Sequence, residues 1–115
     1  MTSGLFGIHA TALELRSQRL AMITSNIANA ATPGYKARDL DFAAALKASN
    51  EGLGTDGAVS QATRYRVPVM PSLDGNTVEM ATEQTAFAEN AVAYQATLGF
   101  LRGRIETLTR ALKGE

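Results

Sequence analysis

Cysteine and tryptophan are absent from the 115 residues, and histidine occurs once. Without cysteine there is no disulfide, no thiolate metal site and no thiol nucleophile. A single histidine excludes the histidine clusters that hold zinc or copper. Aromatic residues are scarce at 6%, although 45% of the chain is hydrophobic. Alanine makes up much of the difference, which suits helix packing better than an aromatic pocket. Charge of one sign is also missing: 11 basic residues balance 11 acidic ones, for a formal net charge of zero. Such a balance argues against a nucleic-acid backbone or an anionic lipid surface as the main partner. No stretch approaches the roughly 20 apolar residues of a membrane helix. The start, Met1-Thr2-Ser3-Gly4-Leu5-Phe6, has neither the basic region nor the apolar run of a secretory signal. By these rules the chain is cytosolic unless another export route serves it. At this length it forms one small domain at most, with limited capacity to bury a core alone.

Catalytic chemistry is equally hard to assemble. His9 lies among apolar residues of an N-terminal helical pattern, where a packed imidazole is the plain reading. Asp39 and Asp41 could pair as acid and base, but their place at a helix start favours capping. Gly52-x-Gly54-x-x-Gly57 has the spacing of a dinucleotide fingerprint, yet it follows no strand and opens no helix. The sequence therefore offers no catalytic, cofactor-binding or metal-ligating residue, and a non-enzymatic role is expected.

What the chain does have is helical periodicity at both ends. From about Leu5 to Asn29 the apolar residues follow two adjacent seams of alternating three- and four-residue spacing. One runs Ile8, Ala12, Leu15, Arg19, Met22, Asn26, and the other Phe6, His9, Leu13, Arg16, Leu20, Ile23, Ile27. Together they cover an arc near ~200°, wider than the stripe of about 100° that suffices for a helix lying on one core. This helix should be covered on two sides. It is either the centre of a compact bundle or part of a larger coiled coil. The C-terminal segment keeps one seam throughout: Met80, Gln84, Phe87, Ala91, Tyr94, Leu98, Leu101, Ile105, Leu108, Leu112. A heptad pattern sustained that long predicts a coiled-coil helix over residues 78–112, about 50 Å in length. Asn76 or Thr77 is the expected N-cap, and Arg102, Arg104, Arg110 and Lys113 suit the negative C-terminal end of the dipole.

The middle is weaker. Asp39 to Leu46 reads as a short helix capped by Asp39 or Asp41, residues 49–63 as a flexible loop, and Arg64 to Met70 as an edge strand or extended arm limited by Pro68. The expected fold class is thus mainly α. Long terminal helices form one coiled-coil unit from residues 1–31 and 76–115, and a small irregular segment with some β character spans residues 32–75. Arg16 and Arg19 fall inside the apolar arc of the first helix. Either their stems snorkel to water, or they meet carboxylates on a helix of the same or a neighbouring chain and fix its register. Glu83 and Glu89 are the first candidates as partners.

The most specific feature closes the first helix. Asn26, Ala28, Asn29, Thr32, Pro33, Gly34, Tyr35 and Lys36 form an Asn-x-Ala-Asn-x-x-Thr-Pro-Gly-Tyr-Lys run. Pro33 presets φ at the second position of a type II turn, and Gly34 supplies the positive φ at the third. This run on a helix end resembles the N-terminal signature of the bacterial flagellar axial proteins: rod, hook and hook-associated subunits. The blocks Tyr35 to Phe42 and Asp74-Gly75-Asn76-Thr77-Val78-Glu79-Met80, with Glu83, Glu89-Asn90 and Tyr94-Gln95 after it, are similar to the proximal-rod members of that family. The likeness covers both ends and lapses only over residues 49–63. Ala30-Ala31 departs from the pattern where a second Asn is common.

The resemblance implies a structural subunit of the basal-body rod. Proteins of this family are exported unfolded through the flagellar type III apparatus, without a cleaved signal, and polymerise in the periplasm. Their terminal helices pack as an inner coiled coil around a channel. The proximal rod meets other rod proteins, the rod-to-ring adaptor and the membrane ring, and passes motor torque toward the hook. No cofactor, nucleic acid or membrane span is implied. The helices would meet neighbours along the two N-terminal seams and the C-terminal one. A helical adaptor or export chaperone of the same secretion apparatus is the alternative, although it gives no reason for the turn motif.

Overall fold

The computed structural model describes residues 7–114. Phe6 of the second seam lies outside them. Six elements follow in order: α1 (Gly7–Ala28), β1 (Arg38–Leu40), α2 (Phe42–Asn50), α3 (Thr55–Ala62), β2 (Thr63–Tyr65) and α4 (Met80–Lys113). The fold is mainly α, with one antiparallel two-stranded sheet in the middle that pairs Arg38 with Tyr65, Asp39 with Arg64 and Leu40 with Thr63. The 34 residues of α4 span about 51 Å at the α-helical rise. They give the molecule extents of 65 × 27 × 18 Å and a radius of gyration of 17.3 Å, against about 13 Å for a compact chain of this length.

The wide apolar arc of α1 is covered on two sides. One side carries the core, where Leu15 packs with Leu40, Ala45 and Ala62, and Met22, Phe42, Leu46 and Val59 close around them. The other side lies antiparallel against α4: the rings of His9 and Phe100 are 6.0 Å apart at one end, and Asn26 meets Glu83 at the other. Leu15 and Ile23 are fully buried between these surfaces, Leu13, Met22 and Ile27 are partly buried, and Ile8 and Leu20 remain exposed.

Three local expectations are corrected. Residues 49–63 are not a loop, because α3 occupies Thr55–Ala62. Its propensity is poor, but Ala58 and Ala62 present a small buried face, and tertiary packing outweighs propensity in a helix this short. Leu53 folds back against Gly57, where a Cβ would stand only 3.2 Å from its side chain. The short helix starts at Phe42 and not at Asp39, because Asp39 and Leu40 pair in β1; of the two cap candidates Asp41 is the one that serves, accepting from the Ala44 amide at 3.1 Å. Asn76 and Thr77 do not cap α4, which starts at Met80 after Glu79 without a side-chain cap. Its other end is closed by Gly114 in the left-handed region, whose N–H reaches the Arg110 and Ala111 carbonyls. The expected edge strand or extended arm is partly both: Arg64 and Tyr65 belong to β2, the Arg66 N–H makes one further bond to the Ala37 carbonyl, and the chain leaves the sheet before Pro68.

Candidate functional site

The run at the end of α1 folds as its residues dictate. The Tyr35 amide donates to the Thr32 carbonyl at 3.2 Å, and Gly34 sits at φ +74°, as a type II turn requires. Asn29 ends the helix by donating its side-chain amide to the Ser25 carbonyl at 2.8 Å, and its Oδ1 accepts from the Thr32 hydroxyl. A Cβ on Gly34 would meet nothing within 4 Å. The cost of substitution there is conformational rather than steric. Gly34→Ala should therefore cost about 1–2 kcal/mol, and Gly34→Val more. Thermal melts of the two variants check this, and equal stability of parent and valine variant would refute it.

The turn then docks on the second sequence block. Asn76 donates its side-chain amide to the carbonyls of Asn29, Ala30 and Thr32, at 2.9, 3.2 and 2.7 Å. In this way it absorbs acceptors that the end of α1 leaves open. Gly34 N–H donates to the Asp74 carbonyl, Thr77 N–H to the Tyr35 carbonyl, and Lys36 Nζ to the Gly75 carbonyl at 2.6 Å. The Thr77 hydroxyl accepts from the Ala37 amide at 2.7 Å. Asp74 holds the loop by accepting from the Asn76 amide, which lowers its pKa. The two motif blocks thus recognise each other across the fold.

Beneath the turn lies a buried polar cluster. The Asn26 side chain pairs both ways with the backbone of Arg38, donating to its carbonyl at 2.7 Å and accepting from its amide at 3.1 Å. Its Nδ2 also donates to Glu83 Oε1 at 3.0 Å. Glu83 is fully buried and takes a two-point contact from Arg66, at 2.7 and 3.2 Å. Arg66 reaches on to Asp39 at 3.1 Å, and Asp39 is held in turn by a two-point contact from Arg19 at 2.8 and 2.9 Å. Two guanidinium groups and two carboxylates therefore tie α1, β1, the residue after β2 and α4 into one balanced junction.

Arg19 thus finds its carboxylate on β1, not on Glu83 or Glu89. Asp39 holds Arg19 by a two-point contact, and Glu83 is taken by Arg66. Glu89 is exposed and acts on Arg19 only through its field. Arg16 meets no carboxylate either: its guanidinium stacks over Phe42 at 3.8 Å, and Nε donates to the Thr97 hydroxyl at 3.3 Å. Burial and the neighbouring Arg19 charge lower the Arg16 pKa, whereas the hydrogen bond that Arg19 donates to Asp39 raises its own.

Burial pushes the Asp39 carboxyl up, but the Arg19 hydrogen bond and the Arg19 and Arg66 charges outweigh it and hold the pKa below its usual value. The unfolded chain takes up that proton near pH 3.9. Between there and the lower folded pKa, the unfolded state binds more protons, so stability falls with falling pH. The Asp39 contribution is complete above about pH 4 and disappears as the pH drops through the folded value. Melting temperatures of the parent and Asp39→Asn should differ by a constant amount near neutral pH and converge in acid. A gap that persists in acid would sink this account.

On α4 the residues turned toward the rest of the chain are not the apolar seam. The buried positions are Glu83, Ala86, Asn90 and Thr97, with Asn90 donating to the Arg16 carbonyl at 3.0 Å. Glu83, Asn90 and Thr97 recur every seven residues, a polar row beside the apolar one. Of that apolar row, Met80, Phe87 and Ile105 are 40, 45 and 46% exposed and Leu112 is 88% exposed. Ala91 is exposed as well, and Tyr94, Leu98, Leu101 and Leu108 are partly covered. The described part of α1 stops opposite the Phe100 region, so the last turns of α4 carry their apolar residues in the open. The polar row and the roles of Asp39, Arg66 and Asn76 are not apparent from hydrophobic periodicity. The seven-residue repeat of polar residues is the signal that could have shown the row.

A family model described as flagella basal body rod protein matches residues 6–36, the first helix and its closing turn. The flagellar basal body rod protein FlgB of Cereibacter sphaeroides is 54% identical over 121 aligned positions, covering 95% of this chain and 94% of that protein. FlgB of Aeromonas hydrophila is 43% identical, over 96% of this chain and 93% of its own length. FlgB of Escherichia coli is 42% identical, over 89% and 88%. The chain belongs to the FlgB family of flagellar basal-body rod proteins. It is a component of the basal-body rod, and the names of its relatives describe a structural part. The cytosolic placement suggested by ordinary signals gives way to the flagellar basal body. Among the described residues no helix is long and apolar enough to cross a membrane.

Proposed function

We propose that this rod component self-assembles, and that it associates with other rod proteins and with the rod-to-ring adaptor to carry motor torque from the membrane ring toward the hook. The observation that carries the reading is the division of α4 into two seams. A polar and alanine row is consumed by contacts within the chain, and an apolar row is left facing outward. Apolar side chains in water forgo about 1.5–3 kcal/mol each relative to full burial. A row of them sustained along one helix is a surface for neighbouring helices.

The α1 seam residues left at the surface, Ile8 and Leu20, extend that surface, and residues 1–31 with 76–115 form the assembling unit while residues 32–75 form the outer segment. The junction of Arg19, Asp39, Arg66 and Glu83 supplies stiffness, because two-point guanidinium–carboxylate contacts fix orientation as well as distance. Load on the helices then passes to the outer segment without hinging at the turn. Export through the flagellar type III apparatus into the periplasm, without a cleaved signal, completes the reading. The absence of cysteine suits passage of an unfolded chain into an oxidising compartment.

The test is complementation. A tagged copy should restore swimming to a cell lacking its own proximal rod protein, and the tag should be recovered in purified hook–basal bodies. Restored swimming with the tag confined to the cytosol would favour an export adaptor instead.

A further inference from the structure

The contact between α1 and α4 is uneven along its length. At one end Glu83 is locked into the junction with Asn26 and Arg66. Beyond it, α4 turns only small or polar side chains inward: Ala86, Asn90 and Thr97 are its other buried residues. Phe87, on the neighbouring row, stays 45% exposed. Two hydrogen bonds cross this stretch, and both go to Arg16. Asn90 donates to its carbonyl at 3.0 Å, and its Nε donates to the Thr97 hydroxyl at 3.3 Å. A groove of about 230 Å³ runs beside Asn90 between the two helices, and atoms lining such a space lack packing partners on one side.

The hydrophobic core does not hold α4 either. Leu15, Leu40, Ala45 and Ala62 come from α1, β1, α2 and α3, and the side chains that close around them come from α1, α2 and α3. Beyond the junction, α4 can therefore leave α1 without opening that core. Asn90 makes leaving easier. It is 2% exposed, and its Oδ1 is the buried side-chain polar atom without a hydrogen-bond partner among the described residues. A buried acceptor with no donor disfavours the folded state, whereas water satisfies it once the helices part. An apolar side chain of similar size would carry no such cost.

We propose that Asn90 is a release point: α4 detaches from α1 ahead of the rest of the fold, and this ease of detachment serves passage of the unfolded chain through the export apparatus. Once detached, α4 has no tertiary support beyond the junction, and a helix standing alone gains little from propensity. The weak contact stands on the geometry alone; its role rests on the export reading.

The test is Asn90→Leu in the full chain, with the groove alongside giving the leucine room. In the purified parent, amides of residues 86–97 should exchange with solvent at least about tenfold faster than those of Leu15, Ala45 and Ala62, as expected for a locally opening unit. The leucine variant should slow them about tenfold and raise the melting temperature by about 4–8 °C. In cells lacking their own proximal rod protein, its export should fall severalfold. Should leucine not fit, Asn90→Ala removes the same amide without added bulk and should melt no lower than the parent. Parent amides at 86–97 protected as well as the core, or an alanine variant that melts several degrees lower, overturn the release point and leave the export reading standing. A stabilised leucine variant exported as fast as the parent overturns the role in export. Failure of the parent itself to be exported removes the export reading, and the role of Asn90 with it.

Discussion

Glu83→Ala should destabilise the folded chain by about 3–5 kcal/mol, the usual cost of removing one partner from a buried ion pair. Glu83 has no exposed surface and accepts from both Asn26 and Arg66. Its loss leaves the Arg66 guanidinium, 17% exposed, with Asp39 alone, so that two guanidinium groups share one carboxylate. The melting temperature should fall by on the order of 15 °C or more. The double change Glu83→Leu with Arg66→Met should recover much of that loss, because replacing a buried pair by apolar groups is often neutral. The two outcomes separate stability from geometry: the apolar pair restores the melt, but it lacks the directional contacts that join β1 to α4. If Glu83→Ala melts within about 1 kcal/mol of the parent, the junction is hydrated in solution and the buried-pair argument fails.

Ile105→Glu combined with Leu112→Glu should leave the free chain folded and block its incorporation into the rod. Both side chains are already exposed, at 46 and 88%, so a carboxylate costs little before association. On assembly each charge must be desolvated against apolar neighbours at several kcal/mol. Since each 1.4 kcal/mol is tenfold in affinity, two such charges weaken association by on the order of a thousandfold or more. Circular dichroism of the purified variant should match the parent, while swimming and recovery from basal bodies are lost. Motile cells carrying the double variant would show that this part of the seam meets no neighbour.

The arginines show how far sequence logic reached at the junction. Arg16 and Arg19 stood out because a charge within an apolar arc needs a partner. The partners proved to be an aromatic face and a strand carboxylate. Heptad spacing ranks only residues on helices as partners. Asp39 reaches Arg19 through the course of the chain after the turn, which periodicity does not encode. In the same way Glu83 fell in a favourable first turn of α4, yet its burial follows from where Arg66 arrives after β2.

The sequence by itself determined the two long helices and the turn at Pro33-Gly34, and it marked the apolar row of α4. Each of these follows from short-range rules: residue spacing, fixed φ at proline and free φ at glycine. The turn motif with the block from Asp74 to Met80 also pointed to the family, and the fold brings the two into contact. Only the tertiary structure decided which face of α4 turns inward. Apolar periodicity marks the surface that gains most from burial, but a chain with one small core buried its polar and alanine row through hydrogen bonds to α1. α3 was likewise decided by packing, because two buried alanines beside α1 and α2 stabilise a helix whose own propensity is weak. Local rules govern where a helix starts and stops. Which face it shares, and with whom, is set by long-range contacts whose energies no window of sequence contains.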